Sequence, residues 1–168
     1  MKKPTPTAPT LKAVGGADMR PRADAEEFYR HLEIDVLART LWGEARGEGS
    51  AGLEAVAAVV LNRVKVAQNH GGKYWWGANI IQVCQKPYQF SCWNRSDPSF
   101  QKLQAVDDKN LYFASALRVA RRACLGAFKD PTGGATHYHA DYVDPYWAKG
   151  EKPTAVIGRH IFYKLAEV

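Results

Sequence analysis

The sequence predicts an α+β domain, mostly helical, with a small antiparallel β-sheet towards the C-terminus. Three observations carry this. Apolar residues recur with the helical period through residues 34–68. After residue 135 the period changes to two, as in a strand. Between the two regimes stands a strong turn signal, Asp130-Pro131-Thr132-Gly133-Gly134. Helices first and strands last is the order of an α+β fold, and 168 residues suit one domain with its own core.

Residues 1–28 read as a flexible N-terminal tail and 29–168 as the folded domain. Four of the nine prolines and Gly15-Gly16 fall before residue 25, without apolar periodicity. Then Ile34, Leu37, Ala38, Leu41, Trp42 and Ala45 take helical spacing, and Gly47 and Gly49 end the run. Ser50 is placed to cap a second helix, in which Leu53, Val56, Ala57, Val60, Leu61 and Val64 repeat the pattern to the neighbourhood of Gln68. His70-Gly71-Gly72 breaks it. Residues 79–84 read as a short helix inside an irregular, aromatic-rich stretch ending near Trp93, and residues 98–128 as one or two helices with Arg118, Arg121 and Arg122 outside. Thr136, Tyr138, Ala140 and Tyr142 then share one strand face, and His137, His139 and Asp141 the other. Residues 159–165, rich in Ile and aromatics, read as a second strand.

Composition narrows the function classes. Lys+Arg exceed Asp+Glu by 23 − 17 = 6, and the pI is about 9.3, which suits an anionic partner such as nucleic acid, a membrane surface or a wall polymer. No apolar stretch approaches the roughly 18 residues of a membrane helix. Met1-Lys2-Lys3 imitates a secretory leader, but Pro4, Pro6 and Pro9 occupy the place of its apolar segment, so a chain made in the cytoplasm without a signal peptide is expected. Cys84, Cys92 and Cys124 form no Cys-x-x-Cys pair; they read as reduced thiols, with a Cys84–Cys92 bridge as the alternative.

Glu44 and Glu48 are the most informative residues. At about 100° per residue from Ile34, they fall near 280° and 320°, beside Leu37 and Leu41 near 300° and 340°. Both carboxylates therefore lie on the apolar side. Lost hydration and a second carboxylate one turn away favour the protonated form, as a general acid requires. Against this, helix glutamates are ordinarily solvated, and Glu48, beyond Gly47, is also placed to leave the helix or to pair with Arg63.

Tyr74, Trp75, Trp76, Tyr88, Phe90 and Trp93, with Asn79, Gln82, Gln89, Ser91 and Asn94, would suit a glycan cleft, since sugars present apolar C–H faces rimmed by hydroxyls. An aromatic mini-core explains them equally. His137-x-His139-x-Asp141 offers three potential metal ligands on one strand face, the basis for a zinc-dependent amidase or peptidase alternative. A basic, aromatic module that binds wall polymer or nucleic acid is the non-enzymatic alternative.

Five blocks carry a resemblance: residues 38–48 (ARTLWGEARGE), 55–64 ending Asn62-Arg63-Val64, Gln89-Phe90-Ser91, Asp130 to Ala135, and Ile157-Gly158-Arg159-His160-Ile161-Phe162. In order and spacing the chain resembles the SleB-type cell wall hydrolase family of spore-cortex-lytic enzymes and related bacterial and phage lysins. The resemblance implies a lysozyme-related domain that cleaves the MurNAc–GlcNAc bond of peptidoglycan as a lytic transglycosylase, with Glu44 as its one catalytic carboxylate. It implies no metal or other cofactor. Glu48, Gln89, Phe90, Ser91, Tyr138 and His139 are the substrate-cleft candidates, Tyr138 and His139 pointing to opposite strand faces. Simple muramidase hydrolysis follows instead if Glu48 positions a water. An endolysin-like monomer acting on glycan strands once the inner membrane is permeabilised, with no nucleic acid or integral membrane partner, completes the expectation.

Overall fold

A computed structural model describes residues 20–168, with side chains from residue 23. Five α-helices precede a three-stranded sheet: α1 Arg20–Ala45, α2 Gly49–Asn69, α3 Ile80–Gln85, α4 Phe100–Ala105, α5 Leu111–Cys124, then β1 His137–Ala140, β2 Ala155–Ile157 and β3 His160–Tyr163. Short 3-10 turns cover Ser91–Trp93 and Tyr146–Ala148. Among the described residues no helix is long and apolar enough to cross a membrane.

Helix α2 sits at the centre because it is apolar on more than one face. Leu53, Val56, Ala57, Val60 and Val66 pack in the main core with Leu37, Ala38 and Leu41 of α1 and Phe113, Ala116 and Ala120 of α5. Ala55 and Val59 meet Ala135 and Phe162 in a second cluster beneath the sheet. A helix covered on two sides loses its polar stripe, which is why residues 55–61 carry no charge.

Two element starts differ from expectation. Helix α1 begins at Arg20, so residues 20–28 are helical rather than tail; residues 1–19 lie outside the described part. Ala23, Ala25, Glu26, Glu27 and Arg30 are strong helix formers and extend a helix that the core nucleates further on. Phe28 is accordingly 66% exposed. At α2 the cap position is Glu48 and Ser50 lies inside the helix, because Gly49, at φ 69°, makes the reversal one residue earlier.

The sheet order is β1-β3-β2, antiparallel throughout, with Tyr138 opposite Phe162 and Ala140 opposite His160. Strand β2, which the sequence does not announce, has three residues and pairs with β3 across Gly158-Arg159. The turn entering β1 is organised by one carboxylate. Asp130 Oδ1 accepts from the Thr132 N–H and Oγ1 (both 2.6 Å), and Oδ2 accepts from the Gly134 N–H (2.9 Å) and Asn62 Nδ2 (3.0 Å). Partial burial opposes ionisation of Asp130, but the hydrogen bonds from Thr132, Asn62 and Gly134 outweigh it and hold its pKa below the usual range.

Replacing Asp130 by Ala should therefore cost at least about 1 kcal/mol in urea unfolding near neutral pH. Because the folded pKa is depressed, the wild-type advantage is complete above the unfolded value of about 3.9 and is lost as pH falls through the folded value. An advantage independent of pH down to acid unfolding would contradict this account.

Candidate active site

Glu44 occupies the last turn of α1, on the core side, as its helical phase dictates. Tyr138, on the β1 face that looks towards the helices, donates its hydroxyl to Glu44 Oε2 at 2.8 Å. Burial, then the charge and hydrogen bond of Glu44, push the Tyr138 phenol well above its usual range, so it stays a neutral donor.

Gly43 allows the other close approach. A Cβ there would lie 2.6 Å from Cys92 Cβ and 2.8 Å from its Sγ. The Cys92 thiol is thereby brought against Glu44; burial and then the charge of Glu44 raise its pKa far enough to keep it protonated. Burial also pushes Cys84 up to about 12. All three cysteines are free thiols, and neither buried one has the character of a nucleophile.

Beneath this pair lies Arg63, only 5% exposed. Its Nε donates to the Thr136 carbonyl (2.8 Å) and Nη1 to Gln89 Oε1 (3.3 Å). Its guanidinium lies 5.3 Å from the centroids of both Trp76 and Phe90, within cation–π range. Burial lowers its pKa to about 10, against the raising influence of Tyr138, Cys84 and Glu44, and leaves it cationic at neutral pH. Arg63 thus fastens α2 to the Gln89 loop and the start of β1.

Arg63 does not pair with Glu48. Glu48 Oε2 instead accepts the Arg159 N–H at 2.9 Å, capping the β2–β3 turn. The turn fits only because residue 158 is glycine, at φ 57°, where a Cβ would overlap the same oxygen. The next residue is His160, buried in β3, with its ring 5.0 Å from that of Tyr138. Burial lowers its pKa, opposed by Glu48, Glu44 and Asp141, and its Nδ1 has no hydrogen-bond partner. Glu48, the turn, His160 and Tyr138 form a continuous support behind Glu44.

The structure sorts the other expected site residues. Gln89 is held by Arg63 behind Tyr138, and Ser91 is exposed where the 3-10 turn begins. Phe90, expected in the cleft, is a core residue, 2% exposed beneath Arg63. His139 is on the strand face away from Glu44: Nε2 meets the Tyr163 hydroxyl at 3.1 Å, Nδ1 the Ala140 carbonyl at 2.8 Å, and the ring stacks on Tyr163. His137 lies between Trp76 and Trp147, its pKa brought down to about 4 by burial and Arg63. Asp141 is paired with Arg159 at 3.0 Å. The His137, His139 and Asp141 side chains are thus engaged separately, and among the described residues no group of three acidic, His or Cys side chains is gathered to hold a metal. Arg63 and His160 were not singled out as site residues. The available signals were a charged residue bordering an apolar stripe and the alternation of His160 with Phe162.

Residues 47–163, most of the chain, match the cell wall hydrolase family. The chain belongs to that family. The match begins three residues after Glu44 and includes Glu48, Arg63, Tyr138 and His160. Among curated relatives, the spore cortex-lytic enzyme of Halalkalibacterium halodurans is 34% identical over 80% of this chain and 35% of its own length. That of Bacillus cereus is 32% identical over 81% and 46%. The chain therefore spans between about a third and a half of the length of these relatives. Among solved structures, the catalytic domain of the Bacillus cereus SleB protein superposes with TM-score 0.61 and 27% identity, covering 80% of this chain and 91% of that one. The catalytic domain of the germination-specific lytic transglycosylase SleB from Bacillus anthracis gives 0.59 and 28%, covering 79% and 93%. The helices-then-sheet architecture of this cell wall hydrolase is that of those domains.

The support through Glu48 has a direct test. Glu48→Gln keeps an oxygen to accept the Arg159 N–H, whereas Glu48→Ala does not. Hydrogen exchange at the Arg159 amide should be near wild type in the first and at least about fivefold faster in the second, the loss of one hydrogen bond of about 1 kcal/mol. Equal protection in both variants would remove Glu48 from this role.

Proposed function

We propose that the protein is a peptidoglycan lytic transglycosylase that cleaves the MurNAc–GlcNAc bond with Glu44 as its one catalytic carboxylate, working on glycan strands as an endolysin-like monomer. The observation that supports this best is the Tyr138–Glu44 hydrogen bond combined with the engagement of every neighbouring carboxylate elsewhere: Glu48 on the β2–β3 turn and Asp141 on Arg159. Most glycosidases need two carboxylates, one as acid and one as base or nucleophile. A single free one suits a reaction whose nucleophile belongs to the substrate.

In this reading Glu44 enters protonated and gives its proton to the glycosidic oxygen as the C1–O bond breaks and oxocarbenium character develops at C1 of the muramic residue. The carboxylate then takes the proton of the muramic C6 hydroxyl as that oxygen bonds to C1. The ring closes to a 1,6-anhydro product, the GlcNAc leaves with a free C4 hydroxyl, and Glu44 returns to its acid form. Tyr138 orients the carboxyl throughout. Family membership and the relatives named as spore cortex-lytic enzymes and lytic transglycosylase lend independent support.

Mass spectrometry of fragments released from purified peptidoglycan tests the proposal. Wild type should yield 1,6-anhydro-muramyl ends, and Glu44→Gln, which cannot transfer a proton, should lower the rate by about 10²–10⁴-fold. Reducing muramyl ends would convert the reading to hydrolysis, and an active Glu44→Gln would end it. Activity should also survive saturating chelator, because the His137, His139 and Asp141 side chains are engaged with separate partners; loss on chelation, restored by zinc, would favour the metallopeptidase alternative.

A further inference from the structure

Tyr88 is the one non-glycine residue at positive φ among the described residues, at 65°. That conformation is unfavourable for a bulky side chain and natural for glycine or asparagine. The backbone is held there by a turn: Gln89 N–H donates to the Lys86 carbonyl (3.1 Å) and Tyr88 N–H to Asn94 Oδ1 (3.4 Å). The ring contributes nothing to the core. It is 86% exposed, the most exposed large hydrophobic side chain described. Strained backbone that displays a side chain to solvent is a mark of a functional position.

The ring borders a surface groove of about 400 Å³ lined also by Gln85, Trp93, Asn94, Arg95 and Ser96. Two aromatic faces suit the C–H faces of a pyranose. The amides and hydroxyl suit its hydroxyls and N-acetyl group, and Arg95 suits a carboxylate such as a lactyl ether. The groove is close to Glu44. Trp93 Nε1 donates to Thr40 Oγ1 at 2.9 Å, one turn before Glu44 on α1, and Cys92 of the same 3-10 turn lies against Glu44 itself.

We propose that Tyr88 and Trp93 form a glycan subsite that stacks one N-acetylated hexosamine ring of the strand beside the cleavage point. This rests on the proposed function and adds to it a substrate-positioning site. Tyr88→Gly separates fold from function, because it relieves the backbone while removing the ring. Its thermal midpoint should equal or exceed that of wild type. With peptide-free glycan strands its KM should rise about three- to tenfold, the range of one aromatic stacking contact, with the larger change in KM rather than kcat. Tyr88→Phe should behave as wild type. An unchanged KM in Tyr88→Gly, or a KM in Tyr88→Phe raised as far as in Tyr88→Gly, overturns the subsite; so does a rise seen only with peptide-bearing peptidoglycan, which would make the groove a stem-peptide site. If wild type releases no fragments, the proposed function fails, but pelleting with the same strands still decides the subsite: Glu44→Gln and Glu44→Gln/Tyr88→Gly binding equally well would overturn it.

Discussion

A carboxylate at the end of one helix is held by a phenol 94 residues later, and the rest of the molecule is arranged to keep that contact. Neither partner could do so alone. Helix α1 ends at Ala45, immediately after Glu44, and β1 is only four residues long. Helix ends fray and short strands are marginal, so each needs support from elsewhere. It comes from α2, whose Asn62 and Arg63 reach the chain entering β1: Asn62 Nδ2 donates to Asp130 and to the Ala135 carbonyl, and Arg63 Nε to the Thr136 carbonyl. Two consecutive polar residues in a buried helix thus fix the strand that carries Tyr138.

The energetics explain why these residues are an amide and a guanidinium. A buried charge is costly unless its hydrogen-bonding capacity is used and its charge compensated. Arg63 has no carboxylate ion pair; its cation lies over Trp76 and Phe90 and donates to a carbonyl and an amide oxygen. A lysine ammonium offers neither the planar face for two rings nor the fork for two acceptors. The same positive charge helps to keep His137 neutral, which favours its place between Trp76 and Trp147.

Much of this was legible. Helical periodicity located the core segments of α1 and α2, and the phase of that same period put Glu44 on the inward side. Period-two alternation put Tyr138 and His139 on opposite faces, as found. What escaped was decided by tertiary contacts. The first turns of α1 carry no apolar stripe because they bury little, so periodicity could not mark them, although their helix formers were a signal of a different kind. Strand β2 is three residues long and exists because β3 pairs with it. Phe90 was misassigned because an aromatic suits a sugar cleft and a core equally, and Arg63, not an edge of the cleft, claimed its face. His160 depended on a turn capped by a glutamate that lies more than a hundred residues earlier in the chain.

That glutamate bears on the chemistry as well as the fold. Two carboxylates four residues apart invite a two-carboxylate mechanism, yet their environments pull them apart. Glu44 faces a phenol and a thiol, both kept protonated, and so has donors around it but no fixed cation in contact. Glu48 is spent on a backbone N–H and wedged against Gly158. A base that must activate water needs an oxygen free to receive its proton in line with the sugar, and the Glu48 oxygen on the turn is already an acceptor. Moving it to serve as a base would release Arg159, loosen His160 and unseat Tyr138 from Glu44. Under the proposed function the two roles exclude each other, and the geometry that makes Glu48 a good support is what makes an internal nucleophile the simpler chemistry for this site.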